Sequence, residues 1–110
     1  MGLFFWKNNG KIDAFGVALA EHLFSHVQPE AARVHFAGGG KGENKKKQYK
    51  IEQQFHDLVR QMRQFSTTQS LGIYGKARLQ KSFSDRLLEL GYDEAVTIKL
   101  VETVVLRNLA

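Results

Sequence analysis

Ile51, Phe55, Leu58, Met62 and Phe65 recur at alternating steps of four and three. That spacing lines one face of an α-helix and scatters over both faces of a strand. No other feature limits the fold as strongly. It predicts a helix over about 44–65 with Asn44 as its N-cap, and the seam, only about two heptads long, asks for neighbouring helices rather than an extended coiled coil. A matching pattern in Ile12, Phe15, Leu19, Leu23 and Val27 predicts a helix over about 9–28, with Asp13 in its first turn and Pro29 stopping it. Leu79, Phe83, Leu87 and Leu90 predict a third over about 76–90, and Gly91 stands where a left-handed C-cap belongs.

The last segment reads two ways. Val96, Ile98 and Leu100 alternate with Thr97 and Lys99 as a strand does, but alternation breaks at Val101. Asp93 as an N-cap and the apolar positions Val101, Val104, Val105 and Leu109 favour a helix over about 94–109. Residues 29–43 receive no assignment; Glu30–Ala37 fits one helical turn or a short extended piece. Ser66–Ser70, Gly72 and Gly75 read as a loop. The expected fold is an all-α bundle of four helices, one domain over 1–110, with a flexible Gly/Lys-rich loop near 38–47.

Charge is concentrated. Residues 41–50 carry +4 and 76–86 carry +3, whereas 1–40 and 51–75 are neutral and 87–110 carry −2. Two short basic stretches point to an anionic partner, and the residues proposed to meet it are Lys45, Lys46, Lys47, Lys50, Tyr74, Lys76, Arg78, Lys81 and Arg86. Their joint role depends on folding bringing the two stretches together. Lysines at the start of the second helix oppose its dipole, a cost that an anion would relieve.

Several sharper readings fail on spacing. A phosphate loop built on Gly40-Lys41 would need Gly and Ser or Thr where the chain has His35 and Gly42. Gly72-Ile73-Tyr74-Gly75 has the Gly-x-x-Gly spacing of the KH clamp loop, without three strands to complete that fold. A helix-turn-helix around Gly91 would send Asp93, Glu94 and Glu102 towards DNA. His22 and His26 share a helical face, yet two imidazoles do not complete a tetrahedral metal site. Cysteine is absent, which removes disulfides and thiolate chemistry. No paired carboxylates, Ser-His-Asp set or nucleotide motif suggests an enzyme, a cofactor or a small-molecule substrate.

Leu3-Phe4-Phe5-Trp6 is too short for a secretory or spanning segment, and Trp6 occupies the position where N-myristoylation wants Ser or Thr. Phe4, Phe5 and Trp6 are read instead as an interface. The function expected is a cytoplasmic, non-enzymatic interaction module that meets a protein partner or a second copy as a homodimer. Nucleic-acid binding through 41–50 and 76–86 is the alternative, and membrane-surface contact through the N-terminal apolar segment is the second.

Overall fold

The computed structural model describes residues 2–37 and 45–106, and every regular element among them is helical. The all-α expectation holds; the four-helix count does not. There are α1 (Gly2–His26), α2 (Pro29–Phe36), α3 (Lys45–Thr68), α4 (Ile73–Glu89) and α5 (Glu94–Val101), which runs on into a π-helical turn over Glu102–Leu106. Residues 38–44 of the expected Gly/Lys-rich loop, with the Asn44 cap, and Leu109 at the other end lie outside the described residues; residues 45–47, expected in that loop, form the first turn of α3.

Each difference has a local cause. α1 begins well before the expected residue 9, since Asn8, Asn9 and Gly10 do not interrupt it. α2 occupies the stretch left unassigned: Pro29 at its start supplies the fixed φ a first turn uses, and only Ala32 is buried, so almost no periodicity marks it. α4 starts at Ile73 rather than Lys76, with Gly72 as its N-cap and Gly75 inside the helix. Gly75 is buried there because a Cβ would crowd Leu71 at 3.1 Å. The last segment is helical rather than stranded, and Asp93 sits at the N-cap without a side-chain cap bond. Within the π turn the Thr103 hydroxyl donates to the Lys99 carbonyl at 2.8 Å, a back-bond that competes with the regular ladder.

α1 and α4 form the main pair, and they run parallel. Asp13 meets Arg78 and Glu21 meets Arg86, so the register stays constant along both helices. They approach closely where Gly16 faces Ser82, whose hydroxyl donates to the Asp13 carbonyl at 2.7 Å. α3 joins through Phe65, stacked on Phe15 with ring centroids 4.0 Å apart, and through Phe55, stacked on Phe36 of α2 at 5.7 Å. The core draws Leu19 and Leu23 from α1, Leu58 and Met62 from α3, Leu79, Phe83 and Leu87 from α4, and Leu100 and Val104 from the last segment. Phe15, Ile51, Phe65 and Leu90, expected inward, are half-buried against it.

Two helix ends close with the same pair of backbone bonds. At Gly91 (φ 104°), Tyr92 N–H reaches the Leu87 carbonyl and Gly91 N–H the Leu88 carbonyl, both at 3.1 Å. At Ser70 (φ 54°), Leu71 N–H reaches Ser66 and Ser70 N–H reaches Thr67. Both are Schellman motifs, and the left-handed position suits glycine but strains serine. Ser70→Gly is therefore expected to raise stability by about 0.5–1 kcal/mol, read as a higher urea midpoint at unchanged slope.

Tyr92 fixes the α4–α5 turn against the end of α1. Its hydroxyl donates to the Val27 carbonyl, and its ring meets Phe24 edge-on at 6.3 Å. Burial pushes the phenol pKa well above the usual tyrosine range. The folded state keeps a proton that the unfolded chain loses near pH 10, so this contribution is complete below that pH and declines above it, by up to about 1.4 kcal/mol per pH unit. Urea midpoints measured from pH 8 to 11 should fall at the alkaline end, and Tyr92→Phe should flatten that fall.

Candidate functional site

The start of the second basic stretch lies far along α3 from the first. Lys50 lies about 24 Å along α3 from Ser66, at ~1.5 Å per residue, whereas α4 begins beside Leu71, whose N–H is bonded to the Ser66 carbonyl. Lys46 and Lys50 are exposed on α3; the side chains of Lys45 and Lys47 lie outside what the structure describes. The distance follows from α3 being one uninterrupted helix between the two stretches.

The second stretch is also largely neutralised. Arg78 donates to the Asp13 carboxylate at 2.9 Å, Lys81 to Asp85 at 3.0 Å, and Arg86 to Glu21 at 2.7 Å and Glu89 at 3.2 Å. These bonds raise the pKa of Arg78, chiefly through Asp13, and that of Arg86, chiefly through Glu21. Tyr74 is 54% exposed but contributes a hydrogen bond to Arg78. Lys76 is half-buried and has no ion pair among the described residues. Parallel packing thus converts a sequence-level basic patch into an interhelical ladder of alternating charge. Its individual members, partly exposed, contribute modestly to stability.

His22 and His26 stack with ring centroids 4.5 Å apart, and His26 Nδ1 lies 2.9 Å from the His22 carbonyl. No group of three or more His, Asp or Glu side chains able to hold a metal gathers among the described residues.

A different feature emerges between α4 and α5. A groove of about 370 Å³ has Gln80, Ser84 and Leu88 along one wall and Glu94, Ile98 and Glu102 along the other, over a floor of Thr97 and Val101. Each wall is an i, i+4, i+8 row. Leu88 is 46% and Ile98 52% exposed, an apolar pair left in water between two carboxylates. The Thr97 hydroxyl in the floor is buried and has no hydrogen-bond partner. Buried polar atoms seldom remain unpaired. Among the described residues no cation lines this groove, and Lys99 is turned about 100° away from Ile98 on α5. No protein-family model matches this chain, nor does any curated protein or solved structure.

At the far end, α1 overhangs. Ile12 packs beside Gly75 near the start of α4, so the turns over residues 2–9 precede the paired region by register, and a Cβ at Gly10 would meet nothing within 4 Å. Phe4, Phe5 and Trp6 fall on this overhang; their side chains lie outside what the structure describes. Ile73 is 91% exposed at the same end. No helix among the described residues is long and apolar enough to cross a membrane.

The groove escaped sequence reasoning because the inward pattern of the third helix leaves Leu88 unassigned and Ile98 entered only the strand-like alternation. Only the antiparallel pairing of α4 and α5 leaves them facing outward together. The interhelical acids Asp13 and Glu21 had no signal either, being 65 residues away from their partners in the chain.

Proposed function

We propose that this chain is a cytoplasmic, non-enzymatic helical interaction module that self-associates by seating the overhanging first turns of α1 in the α4–α5 groove of a second copy. The observation that carries this reading is the exposed Leu88–Ile98 pair flanked by Glu94 and Glu102. Four successive helical residues stand 100° apart, so the run Leu3-Phe4-Phe5-Trp6 encircles its helix and no single neighbouring face covers it. Lys7 and Lys11 follow that run directly. An apolar anchor with trailing cations is the complement of an apolar groove with acidic ends, a helix-in-groove mode of recognition. An anionic membrane would suit the same turn, but it would make no use of the acidic rim.

Sedimentation velocity tests the reading. The chain should pass from monomer to dimer over about 10–100 µM, the range of a weak interface, and Ile98→Asp should hold it monomeric while its helical circular dichroism is unchanged. A wild-type monomer throughout that range contradicts self-association.

A further inference from the structure

We infer that the outward face of α3 binds duplex DNA. The apolar seam of α3 has a counterpart on its opposite side: Lys46, Lys50, Gln53, Asp57, Arg60 and Gln64 recur at the same steps of four and three. All but the half-buried Asp57 are exposed; Arg63, also exposed, lies about 100° round the helix from Gln64, on the shoulder that carries Glu52. Lys46, Lys50 and Arg63 have no ion pair among the described residues, in contrast to Arg78, Lys81 and Arg86 on α4. The one acid in the row, Asp57, is taken up by Arg60, whose own side chain remains 77% exposed. Glu52 lies about 100° round the helix from Gln53, on the shoulder of the face.

Three properties favour a duplex over other anions. The face is a straight α-helical row, and the major groove of B-form DNA is wide enough to admit a helix. Gln64, Arg60 and Gln53, whose amide also donates to the Tyr49 hydroxyl at 3.0 Å, supply planar donors of the kind that read base edges, beyond lysines placed to meet phosphates. Lys46, unpaired at the positive end of the α3 dipole where a cation costs stability, gains its counter-charge when phosphate approaches. This inference is independent of the self-association reading and uses none of its residues; a dimer would simply present two such helices.

Fluorescence anisotropy of a labelled 24-base-pair DNA duplex with the full chain tests it. Binding at 50 mM salt should weaken steadily as salt rises. Lys46→Gln/Lys50→Gln should lower affinity at least tenfold and reduce the salt slope by about 2, roughly one per lost phosphate contact. Lys81→Gln/Arg86→Gln changes net charge equally and should alter affinity by no more than about twofold, because those cations are already neutralised within the protein. Circular dichroism confirms that each variant stays helical. No binding at 50 mM salt, or equal losses in the two double variants, overturns the assignment. So does equal binding to duplex RNA, whose narrow major groove side chains cannot read, or to phosphatidylserine vesicles with the same dependence on Lys46 and Lys50.

Discussion

Gly16→Val should cost the fold about 2–3 kcal/mol, whereas Gly10→Ala on the same helix should add up to about 1 kcal/mol. A Cβ built on Gly16 falls 2.6 Å from the Ser82 hydroxyl oxygen, 2.8 Å from Ser82 Cβ and 3.0 Å from the backbone nitrogen of Phe83. Rotating Ser82 away would relieve only the first contact and would sacrifice its hydrogen bond to the Asp13 carbonyl. The backbone nitrogen moves only if α4 moves, and α4 is pinned to α1 by Arg78–Asp13 and Arg86–Glu21 on either side. Gly10 meets open space, so alanine there restores helix propensity with no steric cost. Urea midpoints at constant slope give both values. A neutral Gly16→Val would mean that α1 and α4 are not in contact at this point.

Phe83→Ala should be the most damaging single truncation, at about 3–5 kcal/mol. Phe83 is fully buried and is the largest such side chain among the described residues. Its backbone is already held against Gly16, so α4 has little freedom to close the cavity left behind. The contrast lies on the neighbouring helix. Ile98→Ala, at a side chain 52% exposed, should cost less than about 0.5 kcal/mol. On the proposed self-association, Ile98 contributes to the groove rather than to the fold, and a small cost for Ile98→Ala is what that reading expects.

How far the sequence could be read depends on which interactions are local. The seam Ile51-Phe55-Leu58-Met62-Phe65 gave α3, and Gly91 gave the end of α4, because helical periodicity and a left-handed cap are encoded within a few residues. α2 was not legible, since a short helix with one buried alanine leaves no periodic trace. Ile73 and Tyr74 misplaced the start of α4 for a related reason: both are exposed, so neither extends the inward pattern. The ion pairs that neutralise Arg78 and Arg86 arise from parallel packing of distant helices, which spacing along the chain does not reveal. The basic row on α3 was legible and was hidden by summing charge over a segment. A boundary at residue 50 separates Lys46 and Lys50 from Gln53, Arg60 and Gln64 on the same face, and Glu52 and Asp57 cancel Arg60 and Arg63 in the sum beyond it.

The seating of α1 in a second copy's groove makes a demand that neither surface alone would make. Ile98→Asp removes the groove and leaves the apolar turn; Trp6→Glu removes the anchor and sets an acid towards the rim at Glu94 and Glu102. Each variant alone retains no complete contact. Mixed, they can form one, between the turn of the first and the groove of the second. Sedimentation velocity on the two variants separately and in equal mixture is the decisive measurement. Monomer in each solution and dimer in the mixture, weaker than wild type, is the predicted result; a mixture that stays monomeric while wild type dimerises, or single variants that still dimerise, would contradict it.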